Sequence, residues 1–261
     1  MSMSMMSVQG PLARCVEDLR LGLQAMSAGD PRDPWWVPAP LHGPPAPRPI
    51  RVALSVNCGG QAAHPSVVDG LRRAASWLEQ AGYRVEEVEP PSLAEAHELW
   101  KLIGNDEARY FMWPAIEQLG DTGVRRSFTG FLADSPVLDH VSHLRAFAKR
   151  ASLIRQWQLF LEQYPLVLCP VSGEPPFTWG MDTESDQTMA RVQSAQESQF
   201  AAPVLGLPAI SVPTGLADIE GCLLPMGVQL ISERFREELL LDAAAAIESH
   251  CPPATPIDPF P

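Results

Sequence analysis

A chain of 261 residues with 46% apolar content is long enough for one large domain or two small ones around a packed core. Its formal charge of -12 argues against binding to a phosphate backbone or a basic patch that sits on membranes, so neither nucleic acid nor membrane is an expected partner. The cysteines Cys15, Cys58, Cys169, Cys222 and Cys251 are scattered and form no CxxC pair, which predicts neither a zinc cluster nor a disulfide framework and fits a reducing, cytoplasmic setting.

No apolar run is long enough to span a bilayer, and the N-terminus lacks the basic-then-apolar order of a signal peptide. From Cys15 to Met26 the apolar residues Val16, Leu19, Leu23 and Met26 recur at helical spacing, with Glu17 and Asp18 in the first turn. Cys15 holds the N-cap position, where Ser or Thr would bond a backbone N–H, so the cap is expected to be weak. Residues 29–49 are too proline-rich for a helix or central strand and read as a semi-extended surface connector pinned by Trp35 and Trp36.

The period then changes. Ile50 to Val56 reads as a strand, His64 to Gly82 as a helix with Pro65 near its first turn, and Tyr83 to Glu89 as a second strand. The helix carries Val67, Leu71, Ala74 and Leu78 on one stripe, as covering a parallel sheet in a right-handed βαβ unit requires. Residues 92–163 read as helical, interrupted near Pro114, around Gly120 to Gly123 and at Ser135-Pro136; the last helix carries Phe147, Ile154, Trp157 and Leu161 at core spacing.

Leu166 to Cys169 is a fully apolar strand, followed by a Pro- and Gly-rich loop long enough to bind a ligand and a helix from about Asp186 to Ala202. Ala209 to Val212 and Gly227 to Ile231 read as buried strands separated by a turn-rich stretch, and Glu237 to Ser249 as a closing helix. The expected fold is α/β, a mixed, largely parallel sheet with helices on both faces. The expected organisation is an N-terminal helical segment (1–28), the connector (29–49), the main domain (50–249) and a frayed Pro-rich tail (250–261).

In chain order, GPLARCVEDL, DPRDP, HPSVVDGLRRAASWLEQAGYRVEEVEPP, LGLPAISVPTG and LLPMGVQLIS resemble segments of the amidase signature family, over roughly residues 7 to 249. The match is to the family's C-terminal half. One local departure is Ala202-Pro203-Val204-Leu205-Gly206, where many members carry Asn ahead of the GLPA segment. The resemblance implies an enzyme that converts a carboxylic amide to an acid plus ammonia or amine, with no cofactor or metal. Members use a serine nucleophile, a second serine in a cis peptide, and a lysine acting as base through it. A neutral hydroxyl needs such a base, and glycine-rich backbone N–H groups hold the oxyanion.

In the family those residues lie upstream of the GP-x-A-R motif, and this sequence opens after them, behind the several methionines of MSMSMM. The chain alone is therefore expected to be inactive, with no catalytic residue assigned in it. A small-molecule amide would be its substrate once the missing half completes it. The alternative is a non-catalytic subunit or binding protein that associates with a separately encoded half; homo-oligomers and aggregation through unpaired sheet edges are also expected.

Other residues invite chemical readings of their own. Lys101 and Lys149, the only lysines, read as solvated helix positions, and no Gly-Ser-Ser or Gly-Ser-Gly-Gly segment occurs. Asn57-Cys58-Gly59-Gly60 looks like an active-site turn but is favoured as a plain connector. Cys169, at a strand end, reads as buried and inert rather than nucleophilic. His140 and His143, with Asp139 beside them, have the spacing of one helix face but no third ligand. Phe177, Trp179 and Met181 in the long loop either line the apolar side of a substrate or pack the loop against the body.

Overall fold

The computed structural model describes residues 5–251. The first helix, α1 (Val16–Met26), starts where the helical spacing predicts, and Cys15 makes no side-chain cap bond. The missing cap is replaced from a distance: the Val16 N–H donates to Glu248 Oε1 at 2.9 Å. The connector forms no helix or strand. Trp36 holds it locally, donating from Nε1 to the Ser27 carbonyl at 3.3 Å, but both tryptophans remain about half exposed. The stronger tether is one the sequence did not reveal. Arg236 donates to the Pro44 carbonyl at 2.9 Å and pairs with Glu238, whose Oε1 accepts from the Gly43 N–H.

A mixed sheet forms the centre. β1 (Arg51–Leu54) is followed by a small hairpin, β2 (Asn57–Cys58) and β3 (Gln61–Ala62), then by α2 (Pro65–Gln80) and β4 (Arg84–Glu87). β5 (Leu166–Pro170), β6 (Ala209–Ile219) and β7 (Cys222–Ser232) complete a sheet of order β4-β1-β5-β7-β6. β1 is parallel to β4 and β5, whereas β7 runs antiparallel to β5 and β6. The Asn57–Gly60 segment is thus a structural turn: Gly59 and Gly60 both take positive φ, as a two-residue hairpin with the right twist requires.

Alternation along the strands splits the core. Val52, Leu54, Leu166, Leu168, Val228 and Leu230 face one layer, where α2 and the last helix, α11 (Glu237–Glu248), pack on them. In that layer Val67, Leu71, Ala74 and Leu78 of α2 are buried, as their stripe predicts. Ala53, Val167, Cys169 and Ile231 face the other layer. It is built from α3 (Leu93–Trp100), α7 (His140–Gln163) and α10 (Glu197–Leu205), and contains the fully buried Trp157 and Leu161.

The expected helical stretch after residue 92 is continued by a π turn at Lys101–Asn105, then α4 (Asp106–Phe111), α5 (Trp113–Leu119) and α6 (Thr122–Ala133), with breaks at the prolines and glycines that foretold them. The π turn buries Asn105, whose Nδ2 donates to Ser135 Oγ at 2.8 Å and fastens the α6–α7 connection.

Two readings are corrected. The helix expected over 186–202 is two helices, α9 (Asp186–Ala195) and α10, after the short α8 (Met181–Glu184). The carbonyl of Ala195 accepts from the Gly173 N–H at 2.7 Å and from Cys58 Sγ at 3.3 Å, so loop groups occupy the point where a continuous helix would run on. The turn-rich stretch after Val212 is mostly strand: β6 and β7 pair out to Ile219 and Cys222, bulging between Pro213 and Gly215. No helix among the described residues is long and apolar enough to cross a membrane.

Candidate active-site wall

Two concavities meet where β5 ends. The smaller, about 340 Å³, lies between the loop after β5 and the β6–β7 hairpin; Val67, Ser172, Glu174, Pro176, Val212 and Met226 are among its lining. The larger, about 900 Å³, follows the end of the sheet beside β6, between residues 5–11, α1, the C-terminus of α10 and α11. Val171 and Ser211 line both. The carboxyl end of a parallel strand is where open α/β sheets gather ligands.

Strand register builds the polar part of this wall. Cys169, Gln229 and Ser211 stand opposite one another across β5, β7 and β6. The buried Gln229 amide donates to the Ser198 carbonyl at 3.2 Å and to Cys169 Sγ at 3.4 Å. Gln199 and Gln229 supply neutral amide groups and Ser211 a hydroxyl, groups that match the hydrogen-bonding pattern of a neutral amide without charging it. Ser211 is exposed on β6, directly opposite the buried Gln229.

The loop residues singled out from sequence fall outside both concavities. Trp179 is fully exposed, and Phe177 and Met181 are half-buried; none of the three lines either space. His143 turns toward Asp106, with Nδ1 3.4 Å from Oδ2, while Asp139 caps α7 by accepting from the Ser142 N–H. That backbone N–H bond is the main reason the Asp139 carboxyl is held below its usual range. His140 lies exposed at the start of α7. No group of three or more metal-ligating side chains converges among the described residues.

Lys149 pairs with Glu95 at 3.3 Å. Lys101 is less solvated than its helix position suggested: its side chain is largely buried between Glu98 and Asp134, at 3.0 and 3.2 Å. Burial opposes its charge, but the two carboxylates outweigh that and raise its pKa.

The family model described as Amidase matches residues 2–241. The chain belongs to the amidase signature family. It is 44% identical over 246 residues to the indoleacetamide hydrolase of Bradyrhizobium diazoefficiens, covering 94% of this chain and 46% of that one. It is 28% identical to a glutamyl-tRNA(Gln) amidotransferase subunit of Deinococcus radiodurans, covering 92% of this chain and 54% of that one. Fatty acid amide hydrolase superposes with a TM-score of 0.74 at 20% identity, over 94% of this chain and 48% of that one. A 6-aminohexanoate cyclic dimer hydrolase superposes with a TM-score of 0.71 at 21% identity, over 92% and 54%. These solved structures share the fold. The chain spans about half the length of the relatives it matches.

Within this amidase fold Cys169 is fully buried, and burial pushes its thiol up to about 12, against a small lowering by the Gln229 bond. A thiol with so high a pKa stays protonated at neutral pH and is a poor nucleophile. Iodoacetamide on the native protein near pH 8 is expected to label the exposed Cys222 and spare Cys58 and Cys169. Mass spectrometry of the digested protein checks this; early modification of Cys169 would contradict its burial.

Proposed function

We propose that this chain forms part of an amidase signature enzyme that hydrolyses a primary amide of an arylacetic acid, the carbonyl carbon gaining water's oxygen as ammonia leaves. In this reading the amide sits where the two concavities meet, at Ser211 beside Gln199 and Gln229, and the smaller concavity, apolar on Val67, Val212 and Met226, takes an aromatic ring. The nucleophilic serine, and the second serine and lysine that take its proton, belong to the part of the family's length that this chain does not span. The observation that carries the reading is the 44% identity to an indoleacetamide hydrolase across 94% of the chain, against 28% to an amidotransferase subunit. A space of this size lies within the range that accepts small organic ligands.

The test supplies the missing stretch. The purified chain is expected to release no ammonia from indole-3-acetamide by itself. Mixed with the part of the Bradyrhizobium diazoefficiens relative that it does not match, it is expected to release ammonia. Serine-dependent turnover by the chain alone would overturn the division of labour, and a tight but inactive complex would overturn the hydrolase reading.

A further inference from the structure

The two spaces at the end of the sheet differ in the charges on their walls. Arg150 and Arg234 line the larger one, but carbonyls at the end of α10 engage them: Arg150 Nε donates to Val204 at 2.6 Å, and Arg234 donates to Leu205 and Gly206 at 2.9 and 3.1 Å. The smaller one has a single charged side chain among the described residues, Glu174, set among Val67, Val212 and Met226. A carboxylate on an otherwise apolar wall loses part of its water and needs donors in its place.

Glu174 is fixed through both its backbone and its side chain. Gly173, just before it, donates its N–H to the Ala195 carbonyl at 2.7 Å and accepts from the His64 N–H at 2.8 Å, so the loop is bound to the end of α9 and the start of α2. The Glu174 N–H donates to Ser172 Oγ at 3.2 Å. Arg191, on α9, grips the carboxylate: its Nε donates to Oε1 at 2.8 Å and to Oε2 at 2.9 Å, and its Nη2 to Oε2 at 2.5 Å. Each carboxylate oxygen accepts about two hydrogen bonds, so Oε2 is filled and Oε1 keeps one place open.

We propose that Glu174 determines specificity by accepting, at Oε1, the ring N–H of an indole-type substrate. The inference rests on the reading that the smaller space takes the ring of an arylacetamide, and it names the ring class: a flat aromatic system with a neutral N–H donor. The apolar walls suit the ring faces, and the one open acceptor place suits one donor. An ammonium group is a poorer match, because the Arg191 guanidinium already cancels the carboxylate's charge. A site built around such an acceptor discriminates against a ring that lacks the donor, since the acceptor is then left short of a partner.

The experiment measures binding of two amides to the full chain by isothermal titration calorimetry. Indole-3-acetamide carries the ring N–H; benzothiophene-3-acetamide has nearly the same shape with sulfur in its place. The wild-type chain is expected to bind the indole about tenfold more tightly, the scale of one hydrogen bond to a charged group. Glu174→Leu is expected to bind both equally, with its affinity for the benzothiophene within about twofold of wild type. Glu174→Gln keeps one neutral acceptor oxygen and is expected to retain a preference of about threefold.

Circular dichroism checks that the variants fold; if Glu174→Leu does not, the wild-type ratio and Glu174→Gln carry the test. Equal affinity of the two amides for the wild-type chain, or an indole preference that survives Glu174→Leu, would overturn the role of Glu174 and leave the arylacetamide reading standing. Binding of neither amide would overturn both. Indole and benzothiophene, which have no amide, separate the remaining case. If the chain prefers indole through Glu174 but binds indole-3-acetamide no more tightly than indole, the amide reading fails and the ring site stands.

Discussion

Replacing Trp157 by alanine is expected to lower the free energy of unfolding by about 3–5 kcal/mol, the range for emptying a buried aromatic site. Trp157 is fully buried between α7 and the sheet, with its ring edge-on to Phe160 at a centroid distance of 6.4 Å. Among the described residues its indole Nε1 has no hydrogen-bond partner, so part of what the tryptophan contributes by packing is offset by an unsatisfied donor. Trp157→Phe removes that donor and retains most of the apolar ring, and is expected to cost less than about 1.5 kcal/mol. Denaturant midpoints of the two variants separate packing from polarity. A loss below about 1 kcal/mol for Trp157→Ala would mean that this layer collapses into the vacated space, contrary to the tight packing inferred for it.

Gly59→Ala is expected to be the other severe substitution. Gly59 has φ of 60°, and a Cβ built there falls on the Glu197 Oε2 atom and lies 2.5 Å from Glu197 Cδ and 2.9 Å from its Cβ. The Glu197 carboxylate can rotate, but its Cβ is fixed in the first turn of α10 and cannot, and the side chain sits beside the buried His97, itself stacked on Phe200 at 4.8 Å. Left-handed strain and displacement of this cluster together predict a loss of about 2–4 kcal/mol. Gly60, its neighbour, has φ of 97° but nothing within 4 Å of an added Cβ, so Gly60→Ala should show only the backbone contribution, about 1–2 kcal/mol. Equal losses at the two positions would contradict the close packing of Glu197 beneath Gly59. Combining Gly59→Ala with Glu197→Ala should recover part of the loss, giving a coupling free energy that two independent sites would not show.

The elements that proved legible from sequence are those whose signals are local. The β1–α2–β4 unit follows from a change of period at Ile50, a stripe from Val67 to Leu78 and Gly82 just past the helix end, and the structure reproduces it. Where tertiary contacts redirect the backbone, local signals mislead. The break between α9 and α10 depends on loop groups that reach the Ala195 carbonyl from Cys58 and Gly173, and nothing in the helical pattern of residues 186–202 announces them. The β6–β7 extension is hidden by Pro213, Gly215 and Gly221, which together read as a long turn. One bulge accommodates Pro213 and Gly215, and the reversal itself occupies only Glu220 and Gly221, both at positive φ.

The site was less legible still. The Cys169–Gln229–Ser211 row exists only because β7 inserts antiparallel between β5 and β6, and strand order has no local signature. Gln229 did leave a trace, as the lone polar residue in the apolar run GVQLI. Arg150 and Arg234 left none, since they are far apart in sequence and converge only at the end of α10. The loop residues Phe177, Trp179 and Met181 stood out by composition, but the two spaces at the sheet end are lined mainly by aliphatic and proline side chains, Pro176 of the same loop among them.

The contrast between the charged β4 edge and the β6 edge, which carries no charge from Ala209 to Ala217, also bears on whom the chain meets in a crowded solution. An open edge would ordinarily invite its own kind, and two copies could pair edge to edge. Each copy, however, carries a formal charge of -12, so like approaches like against a long-range repulsion that is weaker for a less acidic polypeptide. Salt weakens that discrimination, since screening lengths near 0.15 M are about 8 Å. The net negative charge thus acts as a filter in front of the β6 edge, favouring a less acidic strand over a duplicate.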